Sequence, residues 1–164
     1  GSFIDKSLHM YMAKMLGNHG QHSKIATMMF IHKLKKLAPD VIHLHNIHGW
    51  YLNYSMFFDY LKKNNIHVIW TLHDCWAFTG GCAHFTFSKC DRWKRNCGGC
   101  ENLNQYPIAS EMDKTKEMFD SKRKSFLGVD NITIITPSQW LASLVKQSFL
   151  KDYFVKVINN GING

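Results

Sequence analysis

Four short apolar runs, each closing on polar residues and each separated from the next by at least one helix-length stretch, constrain the fold of this chain more than any other feature. They are Val41-Ile42-His43-Leu44-His45, Val68-Ile69-Trp70-Thr71-Leu72, Ile132-Thr133-Ile134-Ile135-Thr136 and Val155-Lys156-Val157-Ile158. Runs of this length and composition read as strands of a buried sheet. Strands joined through single helices are most simply parallel, with right-handed crossovers and helices on the sheet faces. The expected fold class is therefore α/β, a doubly wound, three-layer parallel sheet.

The stretches between the runs carry helical periodicity. Leu8, Met12, Met15 and Leu16 form a stripe that Gly17, Asn18 and Gly20 bring to an end. Ser23 is placed to cap a helix over 23–37 that buries Ala26, Phe30, Leu34 and Leu37, and Pro39 follows its end. Tyr54, Phe57, Phe58 and Leu61 mark the next helix. Ser110 reads as the cap of another, with Glu111 and Asp113 in its first turn, Lys122, Arg123 and Lys124 near its end, and Met112, Phe119 and Phe126 as its seam. Ser138 caps a helix carrying Leu141, Leu144, Val145 and Phe149.

In an open parallel sheet the carboxyl ends of the strands share one edge, where such folds bind ligands. Four polar clusters fall there: His45-Asn46-Ile47-His48-Gly49, His73-Asp74, Pro137-Ser138 and Asn159-Asn160-Gly161. Imidazoles and a carboxylate at one edge can orient a hydroxyl, donate to a phosphate, move a proton or hold a metal. A single histidine is more often structural, with its ring bonded to a backbone carbonyl. Convergence on one edge favours function for His73 and His45.

Between the second strand and the next helix lies a cysteine-rich loop, about 75–106, with Cys82, Cys90, Cys97 and Cys100. Four thiolates can surround one zinc ion tetrahedrally, which would order a long loop poor in apolar residues. Disulfides and unliganded thiols are the alternatives, and His84 could replace one cysteine. Cys75 reads as a small core residue, and Trp70, Trp76 and Trp93 as core packing.

Of the 164 residues 45% are hydrophobic and 20% charged, a globular balance, and the net charge of +8 favours anionic partners. Much of it reads as lysines solvating helix faces, such as Lys33, Lys35, Lys36, Lys62 and Lys63. No apolar run approaches membrane-spanning length. No phosphate-binding Gly-rich loop, Gly-x-Ser-x-Gly elbow or His-Glu-x-x-His is present, so P-loop, serine-hydrolase and zincin chemistry have no support.

Pro39-Asp40-Val41-Ile42-His43-Leu44-His45-Asn46-Ile47-His48-Gly49, Trp70-Thr71-Leu72-His73-Asp74-Cys75-Trp76-Ala77-Phe78-Thr79-Gly80, Thr136-Pro137-Ser138 and Val157-Ile158-Asn159-Asn160-Gly161-Ile162 together resemble the amino-terminal domain of bacterial retaining glycosyltransferases of the group-one, family-four type. The cysteine loop is similar to that of a subgroup of this family. The resemblance implies two Rossmann-like domains facing a cleft, the GT-B architecture, with this chain as a partial amino-terminal domain over 1–164 and the carboxyl-terminal donor domain outside it. It implies that His73 reaches toward the donor sugar with Asp74 supporting it, and that His45, Asn46, His48 and Gly49 form the acceptor-side loop. Ser138 would line the cleft, and Asn160 and Gly161 would begin the crossover to the second domain. The implied partners are a nucleotide-sugar donor, held mainly by the other domain, and a glycan or lipid-linked acceptor of cell-surface polysaccharide synthesis. The implied location is cytoplasmic, with a peripheral contact at the inner face of the membrane. No catalytic metal is expected, so a zinc would be structural. The rival reading is a non-enzymatic, basic, zinc-stapled module for nucleic acid or another anionic polymer. Polar residues gathered at strand ends, rather than in aromatic-interleaved basic runs, count against nucleic acid.

Overall fold

The computed structural model describes residues 3–105, 107, 110 and 112–161. Glu111, expected in a first helical turn, and Ile162, the last residue of the final motif, lie outside them. Four strands, β1 (Val41–Leu44), β2 (His67–Thr71), β3 (Ile132–Thr136) and β4 (Phe154–Val157), form one parallel sheet in the order β1-β2-β3-β4. The helices are α1 (Phe3–Leu16), α2 (Lys24–Leu37), α3 (Tyr54–Lys62), α4 (Thr115–Phe126) and α5 (Gln139–Val145). Strand order follows chain order, so right-handed crossovers set α3, α4 and α5 on the same face of the sheet. Burial agrees. Ile42, Leu44, Val68, Trp70, Ile132 and Ile134 are buried, whereas Val41, His43, His67, Phe154 and Lys156 on the opposite face are exposed.

The expected three-layer, doubly wound sheet is corrected on this point: among the described residues the sheet has one helical layer and one open face. Parallel pairing is as expected, since the crossovers contain helices. The core between sheet and helices is aromatic. Phe126 stands 4.5 Å from Phe58, 5.0 Å from Trp70 and 5.3 Å from Tyr54, ring centre to ring centre, and Trp76 closes the cluster. Tyr54, Phe57, Phe58 and Leu61 of α3 are all buried there, and Asn53 caps that helix through its carbonyl, which accepts from the Met56 amide. Ser138 caps α5 in the same way, from the Leu141 amide at 3.3 Å.

Other local readings give way. Ser23 precedes α2 in a left-handed conformation and makes no cap; its hydroxyl bonds His9 Nδ1 at 2.8 Å. The buried side of α2 runs through Thr27 and Leu34, leaving Phe30 and Leu37 exposed, because Thr27 accepts the Asn53 amide and so turns that side toward α3. On α1 the buried residues are His9 and Ala13, and Leu8, Met15 and Leu16 face outward. Ser110 does not cap α4. Its hydroxyl serves Lys14 and Met112, while Asp113 takes the Thr115 amide at 2.9 Å. Met112 is exposed, so the α4 seam runs through Met118, Phe119, Lys122 and Phe126.

Candidate functional site

Alternation along two neighbouring strands builds the site. His43 and His45 on one, and Thr71 and His73 on the other, project to the open face of the sheet because residues two apart share a face. Register sets His43 opposite Ile69 and Leu44 opposite Trp70, so each histidine of the first segment reaches diagonally to the residue two positions beyond its partner. The result is a polar ladder: His43 Nε2 bonds Thr71 Oγ1 at 2.8 Å, and at the carboxyl edge His45 Nδ1 bonds His73 Nε2 at 2.9 Å. The His45 and His73 rings are stacked 5.2 Å apart, and His43 lies 4.3 Å from His45. Desolvation, with repulsion from His45 and His73, holds His43 below the ordinary imidazole value. The bottom of the ladder therefore stays neutral at neutral pH. The His45–His73 bond uses one nitrogen of each exposed ring and leaves His45 Nε2 and His73 Nδ1 for a ligand hydroxyl or phosphate oxygen.

Asp74 points the other way. Its Oδ2 accepts from His48 Nε2 at 3.0 Å and its Oδ1 from the Trp76 amide at 2.8 Å, which starts the 3-10 turn Trp76–Phe78. Burial opposes its ionisation, but the His48 bond, the Trp76 amide and the nearby Lys122 charge together hold the carboxyl below its usual range. Both oxygens are thus engaged within the protein. His48 is itself buried against the Trp76 ring at 5.3 Å. Asn46 is exposed and its carbonyl accepts the Tyr51 hydroxyl at 2.9 Å. Gly49 lets the Tyr51 ring lie close, since a Cβ there would come 2.9 Å from it.

Of the residues expected at this edge, the structure unites His45, Asn46, His48, Gly49, His73 and Asp74 around β1 and β2. Only a recess of about 10 Å³ is enclosed among them, so a ligand would lie along an open edge. Ser138 follows β3, and its hydroxyl is spent on the α5 cap. Asn160 and Gly161 follow β4 and are exposed. With neighbouring strands about 4.8 Å apart, β4 lies some 14 Å from β1, so Asn160 and Gly161 belong to the far end of the edge, whereas Ser138 follows the strand next to β2.

Two features behind the site escaped sequence reading. His19 is buried, with neither ring nitrogen hydrogen-bonded among the described residues, 6.4 Å from His48 and 6.0 Å from Trp76 ring to ring. Desolvation first, then the charges of Lys122, His48, His9 and His22, push its pKa well below the imidazole norm. The only signal was the His19-Gly20-Gln21-His22 cluster in a stretch read merely as a helix stop. Gly20 is required there: its φ is +78° and a Cβ would meet the Tyr54 ring at 2.7 Å. Lys122, read only as a basic residue near a helix end that suits the helix dipole, is fully buried. Its ammonium donates to Trp76 O at 2.7 Å and Thr79 O at 3.1 Å and sits 3.6 Å over the Trp76 ring. Burial pulls it down to about 7 against the pull of Cys97, Asp74 and Cys82.

The four expected metal ligands Cys82, Cys90, Cys97 and Cys100 are free, half-buried thiols around one cavity beside this loop. No helix among the described residues is long and apolar enough to cross a membrane.

Over 136 residues the chain is 35% identical to the putative colanic acid biosynthesis glycosyl transferase WcaC of Escherichia coli (strain K12), a match covering 77% of this chain and 32% of that protein. The chain thus spans about a third of the length of this curated relative. The similarity supports a relation to glycosyltransferases. No protein-family model and no solved structure matches the chain.

Proposed function

We propose that this chain is the acceptor-side portion of a retaining glycosyltransferase of GT-B architecture. It would move a sugar from a nucleotide donor to a glycan or lipid-linked acceptor in cell-surface polysaccharide synthesis. The observation that carries the reading is the exposed His45–His73 pair at the carboxyl ends of adjacent parallel strands, supported by the similarity to a glycosyl transferase named for colanic acid biosynthesis. His73 hydrogen-bonds the transferring sugar beside the reacting centre, and His45 fixes the orientation of its ring. Asn46 and Gly49 shape the acceptor loop. Asp74 acts through His48 and the Trp76 amide as a positioning residue, because each of its oxygens already holds one of these donors. Ser138, Asn160 and Gly161 mark the side of the edge that a donor-binding domain meets.

Catalysis of this kind rests on orientation, and one misplaced contact costs orders of magnitude in rate. In a longer protein carrying both domains, His73→Ala is expected to lower kcat/KM by about a hundredfold or more with unchanged circular dichroism. Near-normal turnover would remove His73 from the mechanism.

A further inference from the structure

The segment between β2 and α4 has no strand and no α-helix among its described residues, only 3-10 turns at Trp76–Phe78, Thr86–Ser88 and Arg92–Lys94. A segment of that length inside a small domain needs something to hold it. Its first turn is packed into the main core through Trp76 and Phe78, but from Gly81 onward its large buried apolar side chains among the described residues are Phe85 and Trp93, with Trp93 5.0 Å from Phe85 and 5.4 Å from Phe78. Above that cluster lies a cavity of about 230 Å³ whose walls carry Cys82, Cys90, Cys97 and Cys100. Cysteines separated by eight, seven and three positions meet around one space although no strand pairing brings them together. We propose that Cys82, Cys90, Cys97 and Cys100 bind one zinc ion that folds this segment onto the sheet.

Three observations point to thiolates on a metal. Cys82 and Cys100 share a hydrogen bond, and Cys82 also lies within electrostatic range of Cys90 and Cys97, so one residue is near all the others. Two sulfurs already receive backbone amides, Cys97 from Gly80 at 3.1 Å and Cys100 from Asn102 at 3.4 Å. Neutral thiols are weak acceptors, whereas metal-bound thiolates are oriented by such donors. The turn between the last two cysteines is built for the purpose. Gly98 and Gly99 have φ of +143° and +59°, and Arg92 reaches across to both of their carbonyls. Gly80 lets the facing chain approach, since a Cβ there would lie 2.8 Å from Cys97 Cβ.

Charge fits as well. Four thiolates and one Zn²⁺ leave two negative charges, and two basic side chains stand near the cavity: Arg92, beside Cys100, and Lys122, buried in electrostatic contact with Cys97 and Cys82. No three His, Cys, Asp or Glu side chains among the described residues already stand in a metal-binding arrangement. The sulfurs must therefore draw inward on binding, with loss of the thiol protons, so that metal capture and ordering of the segment are one equilibrium.

Elemental analysis of the 164-residue chain, purified without chelator, should find about one zinc per chain. Cys97→Ser should lower that at least tenfold, whereas Cys75→Ser, at a buried core thiol, and His84→Ala should retain it. Loss in Cys97→Ser could reflect misfolding, so the unmodified chain carries a second measurement. A strong chelator should speed tryptic cleavage at Lys89, Arg92, Lys94 and Arg95 without melting the sheet. Added Zn²⁺ should reverse this, and Co²⁺ should give the charge-transfer absorption of tetrahedral thiolate coordination. A metal-free chain that resists trypsin equally, or an intact mass showing Cys82, Cys90, Cys97 or Cys100 in disulfides, would overturn the proposal.

Discussion

The exposed His45–His73 pair and the largely buried His48–Asp74 pair lie three residues apart on the first segment and next to each other on the second, yet do different work. Exposure decides which. His73 is open to a ligand, and Asp74, with a protein donor on each oxygen, holds its neighbours in place. Asp74→Asn is therefore expected to keep the Trp76 bond, remove the carboxylate that faces His48 and reduce transfer less than His73→Ala does, with the larger effect on kcat. Behind these pairs, His9 and His19 carry pKa values held below the unfolded value of 6.5, His9 at about 4 and His19 well below the norm, both through desolvation first. Between those limits the unfolded chain binds more protons than the folded one, so stability falls as pH drops from 6.5 toward 4. Allowing for partial solvent screening at His9, the loss should be about 2 kcal/mol or more, roughly 6 °C in Tm for a chain of this size. His19→Leu removes a ring whose nitrogens have no hydrogen-bond partner among the described residues. It should leave Tm at pH 7 unchanged or raised and shrink the acid loss, as a calorimetric pH series would show; a steep fall in Tm at pH 7 would mean the ring is satisfied in solution. None of this was legible from the sequence, because burial of a histidine next to a glycine turn is decided by residues such as Tyr54 and Trp76 far along the chain.

Elements whose residues match their own periodicity were read correctly, and those whose environment is set elsewhere were not. Strand β3 falls where its alternating β-branched residues place it, and α3 buries all four residues of its expected stripe. β1 ends one residue early, and β2 and β4 are displaced by one residue at both ends, as termini set by register with a neighbour will be. Helices α1 and α2 offer more apolar residues than any partner covers, so the buried stripe is chosen by contact with His9, Ser23 and Asn53 and cannot be chosen by pattern. The same reason explains Lys122. The 3-10 turn after β2 leaves the Trp76 and Thr79 carbonyls facing inward, and α4 supplies the donor they need. Lys122→Met should preserve the volume, orphan the Thr79 carbonyl and leave the Trp76 carbonyl only its long bonds from Thr79, costing about 2 kcal/mol in urea unfolding. The near-UV signal of Trp76 should change with it. An unchanged midpoint would show that those carbonyls find other partners.

At the scale of the whole molecule, the sheet runs β1-β2-β3-β4 without reversal, so the described residues contain no point where the strand order turns back to open a crevice. The candidate site is an edge, with a recess of only about 10 Å³. The opposite sheet face and the outer sides of α1 and α2 expose large apolar residues, Phe3 at 85%, Leu37 at 73% and Phe154 at 66% among them. A nucleotide sugar approaching this chain alone meets the His45 and His73 rings, peptide carbonyls and a net charge of +8, but no second wall. Long-range attraction between that charge and a pyrophosphate is largely screened at physiological salt, where it acts over about 8 Å. Calorimetric titration of the isolated chain with common nucleotide sugars at about 0.15 M salt is therefore expected to show no saturable heat below about 1 mM, a binding energy of about 4 kcal/mol. Weak heats that vanish with added salt would mark charge attraction alone. Saturable micromolar binding that survives added salt would place the donor contacts within these four strands and overturn the assignment of this edge to the acceptor.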